Sequence, residues 1–417
     1  MFYVFGNVEF GALCHYNEAI AGLKEDDGTN SGECELIIMN IVVAVDSFKG
    51  SLTTVEAGTQ IMEGILRVVP NASVKIIPVA DGGEGTVETM ILGTGGKIER
   101  YPVKDLLGRS IHAQIGYIGD SIAILEMAAT CGISLLVPSK DTIRVATTYG
   151  LGQQFMRALD KGSRTIYIGL GGTATNDGGI GFAQAIGYRF YDENGELIPN
   201  GKASLLMSIS RIDGTMVDKR IKDIVVVAIT DVNNPLLGKN GSANVFGWQK
   251  GMDQALVDEF DKKMADFIKL MCRDLGKKNL DVPCAGAGGG MGMALMAFTN
   301  AQICRGIDTV LDIAGFDEYA ESADLIITGE GRLDSQSING KVPIGVAERA
   351  KRKGKTTVAV VGSLGDGYRL AYDHGLQAIE STVCYPMKLE EAMGDAKGLI
   401  ANAAERLMRS LMAGKHI

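Results

Sequence analysis

Six segments of the chain share one pattern: an apolar run stops, an acidic or small polar residue follows, and glycines or other turn residues come next. They are VVAVDSFKGS (42–51), IPVADGGEGT (77–86), YIGLGGTATNDGG (167–179), VAITDVNNPL (227–236), IITGEGRLD (326–334) and VVGSLGDG (360–367). Among the acids in them are Asp46, Asp81, Glu84, Asp177, Asp231, Glu330 and Asp334. Any one of these acids reads most simply as a helix N-cap or an Asx turn. So many at the ends of apolar runs point to a ligand crevice, because in an open α/β sheet the carboxyl ends of the strands line it. Cations stand among them. Lys49 follows Asp46 and Ser47, and Arg332 lies between Glu330 and Asp334. Lys341 follows Asn339-Gly340 and Lys250 follows Trp248-Gln249; each reads by itself as a solvated lysine. Arginine suits bidentate binding of carboxylate or phosphate, and lysine suits a point charge on a transferred phosphate. Carboxylates, cations and glycine loops, with only four histidines in the chain, suit phosphoryl transfer with Mg²⁺. That reaction needs charge neutralisation, positioning and one carboxylate to align the acceptor hydroxyl.

Other chemistries fit less well. A Walker A loop fails, because Arg349 stands where the glycine preceding Gly354-Lys355-Thr356 is required. Gly169–Ala174 fits G-x-G-x-x-A after a strand, with Asp192 further on, which is a dinucleotide fingerprint in outline. It keeps a nicotinamide-dependent oxidoreductase as the alternative reading. No G-x-S-x-G elbow occurs, and the histidines are too scarce for a Ser-His-Asp triad or a histidine-rich zinc site. The seven cysteines include no C-x-x-C pair, which suits reduced thiols in a cytoplasmic protein. Cys131 and Cys284 lie near glycines and read as buried thiols. The run Ala285–Gly292 precedes an apolar helical stretch. It is either an anion loop at a helix start or a close helix–sheet contact.

The elements that must position these residues are legible from periodicity. Candidate strands are Ile41–Val45, Val74–Pro78, Ala123–Glu126, Thr165–Gly169, Ile224–Ile229, Leu325–Thr328 and Thr357–Val361. Several are unbroken β-branched runs, as expected of parallel strands buried on both faces. Thr54–Val68, Gly150–Asp160, Met252–Leu275 and Pro343–Lys353 carry helical periodicity. The order of elements predicts an α/β fold with a parallel sheet. Residues 39–100 and 300–417 read as a discontinuous domain, with 101–299 inserted between them. Residues 1–38 read as an extension outside the folded unit, with an acidic linker at 24–35; Glu9 and the missing basic region make them a poor signal peptide. Glycine reaches 55 of 417 residues, against roughly 7% on average, which suits tight turns and close approach to a ligand. The net charge of −9 argues against nucleic acid or an anionic membrane as partner. No apolar run reaches the roughly 18 residues of a membrane span.

MNIVVAVDSFKGSLTTVEA, PVADGGEGTVE, IGLGGTATNDGGIGFAQAIG, TDVNNPLLG, GAGGGMG, ITGEGRLDSQSINGKVPIGVA and VVGSLG closely resemble the bacterial glycerate kinase family, of the glycerate 2-kinase class. The resemblance runs in order from Met39 to about residue 410; residues 1–38 have no counterpart in it. It implies two α/β domains, one Rossmann- or flavodoxin-like and built from both ends of the chain, with the active site in the cleft between them. It implies ATP with Mg²⁺ as donor, D-glycerate as acceptor, and 2-phosphoglycerate with ADP as products. It also implies a cytoplasmic enzyme, a monomer or a homodimer, of glyoxylate, glucarate or galactarate breakdown. On that basis Asp231 orients and deprotonates the hydroxyl or binds Mg²⁺, with Asp177 competing for both roles. Lys49 and Arg332 hold the glycerate carboxylate or the transferred group. Asp46, Ser47, Asp81, Glu84 and Asp334 complete the substrate and metal surroundings. Gly171, Gly172 and Thr173, with Gly286, Gly288, Gly289, Gly290 and Lys341, cradle the nucleotide phosphates. A non-catalytic binding protein on the same scaffold is a third reading; the intact DSFKGS, TNDGG and GEGRLD segments count against it.

Overall fold

The β-branched runs become strands, and two sheets collect them. The computed structural model describes residues 38–80, 85–201, 204–339 and 341–414. The extension read at 1–38 therefore lies, apart from Ile38, outside the described residues, as do Asp81 and Glu84. In chain order the strands are β1 (Asn40–Val45), β2 (Ser73–Ile76), β3 (Lys97–Lys104), β4 (Ser110–Ile118), β5 (Ile122–Glu126), β6 (Thr165–Gly169), β7 (Arg189–Asp192), β8 (Ile209–Asp213), β9 (Val225–Ile229), β10 (Gln302–Cys304), β11 (Leu325–Leu333), β12 (Thr357–Leu364) and β13 (Ala378–Ser381).

The first sheet has the order β13-β12-β11-β1-β2 and is parallel throughout. Its central strands are buried on both faces, so they read as continuous apolar runs. Crossover helices Thr54–Leu66 and Val342–Arg352 connect its strands. The first of these starts at Thr53, whose side chain accepts from the Glu56 N–H while Glu56 reaches back to the Thr53 N–H, a reciprocal cap worth about 1 kcal/mol.

The second sheet has the order β10-β9-β6-β5-β4-β3. Strands β5, β6, β9 and β10 are parallel, and β4 and β3 run antiparallel at one edge. Periodicity missed the β3–β4 hairpin. Its edge strand reads KIERYPVK, with Pro102 and flanking lysines. Proline and charge are tolerated there because an edge strand needs only one hydrogen-bonded side. A separate pair, β7 and β8, packs beside the long helix Gln254–Leu275. Sheet membership changes at Lys97 and after Cys304. One buried cluster is nevertheless common to both sheets. It joins Val42, Ala44 and Ile326 of the first to Ile124, Val227 and Ile229 of the second, through Val87, Ile307 and Val310.

Candidate active site

A cleft of about 940 Å³ opens where strand ends of both sheets face one another. The first sheet contributes the loop after β1, with Asp46, Ser47 and Lys49, and the start of the helix that follows. The second contributes Gly171, Gly172 and Thr173 after β6, Thr230 and Asp231 after β9, and Gln249, Lys250 and Gly288 from farther along. This is where backbone direction in parallel sheets places a ligand.

The Asp46 loop is fixed by its own backbone. Phe48 N–H donates to Leu52 O at 2.9 Å and Leu52 N–H returns to Phe48 O at 3.0 Å. Asp46 is buried, its N–H donates to Gly329 O on β11, and its Oδ1 accepts from the Ser47 N–H at 2.7 Å. Lys49 is exposed on the same turn. Across the cleft, Asp231 Oδ1 accepts at 2.9 Å from the N–H of Gly306, which opens helix Gly306–Ile313. Among the described residues, the N–H groups of Gly171, Gly172 and Thr173 make no backbone hydrogen bond. Gly172 sits at φ 71°, a conformation that turns the chain at low cost only for glycine.

Asp177 is placed elsewhere. It is buried off the cleft, and protein donors take both oxygens. Oδ2 accepts from Thr148 N–H at 2.8 Å, Thr148 Oγ1 at 2.9 Å and Gly181 N–H at 3.2 Å, and Oδ1 from Gly179 N–H at 3.0 Å. Burial raises its pKa, and these bonds oppose the rise. It anchors the turn before helix Ile180–Ala185 and is not among the residues that line the cleft, so the structure does not bring it together with Asp46 and Asp231. The glycine run lies against the same turn. Gly288, Gly289 and Gly290 all have positive φ, and a Cβ on Gly289 would fall 2.1 Å from Thr175 O. Gly178 N–H donates to Gly289 O, which ties the run to the Asp177 turn. Gly286, Gly289 and Gly290 are packed closely against neighbouring backbone, and Gly288 lines the cleft.

Arg332, Asp334 and Lys341 gather behind the Asp46 loop, outside the cleft lining. Arg332 Nε lies 3.3 Å from Asp334 Oδ2, and its side chain is 67% exposed. Lys341 Nζ stands 3.9 Å from Glu330 Oε2. Glu330 is buried at the end of β11, where its Oε1 accepts from Ser337 Oγ at 2.5 Å. Burial pushes its carboxyl up to about 7, with the charges of Asp46 and Asp334 adding to the rise.

Sequence reasoning read Lys250 as a solvated lysine, and the structure buries it. It lines the cleft yet is 3% exposed, and its Nζ donates to Thr175 O at 2.7 Å. Burial pushes the ammonium down to about 8. The available signal was its setting between Gly247 and Gly251. A Cβ on Gly251 would meet Ser139 N at 2.4 Å, so this short turn is pressed into the protein.

Among the described residues no group of three or more His, Cys, Asp or Glu side chains stands at metal-ligand spacing. Mg²⁺ fits the cleft in a different way, through one or two carboxylates plus substrate phosphates and water, and Asp46 and Asp231 are present for that. The dinucleotide fingerprint loses its support. The helix after Gly169–Ala174 starts only at Ile180, so no helix N-terminus follows the glycines directly. Burial pushes the Cys131 thiol up to about 12, which fits a packed side chain rather than a nucleophile. No helix among the described residues is long and apolar enough to cross a membrane.

Residues 41–412 match the model of the glycerate kinase family. The chain is 43% identical to the glycerate kinase of Halalkalibacterium halodurans over 88% of its own length and 97% of that protein. It is 41% identical to the glycerate 2-kinase of Escherichia coli K12 over 90% of its length and 99% of that protein. A crystal structure from Salmonella typhimurium LT2, assigned as glycerate kinase 2, superposes with a TM-score of 0.81 at 40% identity, covering 91% of this chain and all of that one. With its α/β architecture and strand-end cleft, the chain belongs to the glycerate kinase family.

Proposed function

We propose that this protein transfers the γ-phosphoryl group of ATP to D-glycerate, giving 2-phosphoglycerate and ADP. The observation that carries the reading is the cleft itself. Lys49 and Lys250, the carboxylates of Asp46 and Asp231, and the Gly171–Thr173 turn line one cavity, in a chain of this family. The name of the Escherichia coli relative supports phosphorylation at the 2-position.

Asp231, held by the Gly306 N–H, aligns the acceptor hydroxyl and takes its proton. Lys49 holds the glycerate carboxylate, with Arg332 on the neighbouring strand β11 as the second candidate for that role. Gly171, Gly172 and Thr173 receive the nucleotide phosphates. Asp46 and Asp231 are the carboxylates that would hold Mg²⁺, which supplies charge neutralisation at the phosphates. The sheet partition is read as two domains, 39–100 with 300–417 and 101–299, whose rims close on the substrates and exclude water. A cytoplasmic location belongs to the same reading.

The test is a coupled ADP-release assay with MgATP and D-glycerate, with L-glycerate and lactate as controls. D-glycerate is expected to turn over and to yield a ³¹P doublet from a phosphate on a CH carbon. A triplet would move the phosphate to the terminal CH₂. No ADP release with any hydroxy acid would overturn the reading.

A further inference from the structure

Lys250 is the cleft residue whose placement is hardest to explain by folding alone. An ammonium is strongly hydrated, and burying it is unfavourable unless an anion or several acceptors replace the water. Lys250 ends the turn Trp248–Lys250 and is 3% exposed. Of its three N–H donors, one is committed to the Thr175 carbonyl at 2.7 Å. Asp177 acts on it through its charge, but both Asp177 oxygens are held by Thr148, Gly179 and Gly181. No carboxylate among the described residues forms an ion pair with it. The turn that carries Asp177 holds two buried polar atoms without a hydrogen-bond partner, Thr175 Oγ1 and Asn176 Nδ2. All of this adjoins Gly171, Gly172 and Thr173 on the second-sheet side of the cleft, whereas Lys49 belongs to the first-sheet side.

We propose that Lys250 is a catalytic cation, its ammonium contacting the phosphoryl group that passes from the nucleotide to the acceptor. This rests on the reading of the cleft as a phosphotransfer site. In the step, the acceptor oxygen bonds to the γ-phosphorus and the bond from that phosphorus to the β–γ bridging oxygen breaks. ADP leaves with the electron pair, the hydroxyl proton passes to Asp231, and Lys250 keeps its proton throughout. Charge fixed in a site that excludes water acts more strongly than in solvent and needs no reorganisation at the moment of transfer. Before an anion binds, burial leaves the ammonium only partly protonated in mildly alkaline solution. The titratable groups that act on it are Asp177 and Cys131, and Asp231 shares the cleft with it.

The test compares Lys250→Met and Lys250→Arg with the wild type, using MgATP and D-glycerate. Lys250→Met is expected to lower kcat roughly 10²–10³-fold with KM for D-glycerate within about threefold, because the contact is made to the transferred group. Its melting temperature is expected to hold or rise, since an apolar chain of similar length replaces a buried charge. Wild-type kcat/KM for ATP should fall above about pH 8. Lys250→Arg should lack that limb, because arginine stays protonated; a merely structural role would not move it. A Lys250→Met enzyme with kcat within about fivefold of wild type overturns the proposal. So does a rise in KM for D-glycerate at preserved kcat, which would place the ammonium on the acceptor carboxylate, and so does an unchanged alkaline limb in Lys250→Arg. If Lys250→Met does not fold, the arginine variant and the wild-type pH profile still decide. A wild type that phosphorylates nothing brings down the functional reading and this proposal together, whereas an active wild type with an equally active Lys250→Met brings down this proposal alone.

Discussion

Asp177 and Asp231 follow neighbouring strands of the second sheet, β6 and β9, and each stands in a turn rich in small polar residues. Their surroundings give them opposite work. Around Asp177 the turn folds back so that backbone N–H groups and Thr148 hold both oxygens of the carboxylate, and the glycine run at 288–290 is tied to that turn through Gly178 N–H and Gly289 O. At Asp231 a helix N–H steadies one oxygen while the carboxylate stays in the cleft wall. An acid whose acceptor sites are filled by protein donors is part of the scaffold. An acid that lines a cavity can serve a substrate.

The sharpest way to break this comparison is to neutralise each acid without changing its shape. Asp231→Asn is expected to reduce kcat by roughly two to four orders of magnitude while leaving the thermal midpoint near wild type. Steady-state kinetics beside a melting curve checks both, and kcat within tenfold of wild type would remove Asp231 from the chemistry. Asp177→Asn should reverse the pattern. The amide turns an NH₂ group toward N–H donors, and the loss of charged acceptors costs about 3 kcal/mol. Urea unfolding should show the shift, with turnover per folded molecule changed far less than in Asp231→Asn. A collapse of kcat at unchanged stability would make Asp177 the functional acid.

Glu330 is an intermediate case, buried like Asp177 but with a hydroxyl and a distant lysine for company. Its folded pKa is raised to about 7, so between about 4.5 and 7 the folded state binds more protons than the unfolded chain. Its contribution is therefore complete below that window and is lost as pH rises through it, by roughly 2–3 kcal/mol. Glu330→Gln should flatten the fall in stability between pH 5 and about 7.5. Urea midpoints against pH test this, and an identical slope in the variant would contradict it. The smallest effect expected is at Gly289. Its alanine variant combines φ 75° with a Cβ 2.1 Å from Thr175 O, and should lose roughly 1–3 kcal/mol with KM for ATP little changed. A large rise in KM for ATP at wild-type stability would return Gly289 to the phosphate cradle.

Strand ends were the legible part of this molecule. The seven candidate runs became β1, β2, β5, β6, β9, β11 and β12; most of them are buried on both faces, which leaves an unbroken apolar record, whereas edge strand β2 is partly exposed. That record also located Asp46, Lys49, Gly171–Thr173 and Asp231 at the cleft. It could not separate Asp177 from Asp231, since an acid followed by small residues is written the same way whether its donors come from the protein or from a ligand. Lys250 was illegible for a related reason. Burial of a lysine depends on Thr175 and Ser139, more than 70 residues away along the chain in one case and more than 100 in the other, and local pattern carries no such information. Edge strand β3 was hidden by the proline and charges that protect an edge.

The central claim is that phosphate passes across this cleft, between the Asp46 and Asp231 rims. A crystal structure with D-glycerate, Mg²⁺ and a non-hydrolysable ATP analogue tests it most directly. The account predicts the terminal phosphate against Gly171–Thr173 and the Lys250 ammonium, with the 2-hydroxyl of the acid within hydrogen-bond reach of Asp231. Nucleotide bound away from the cleft, or an acceptor hydroxyl beyond the reach of Asp231, would contradict it.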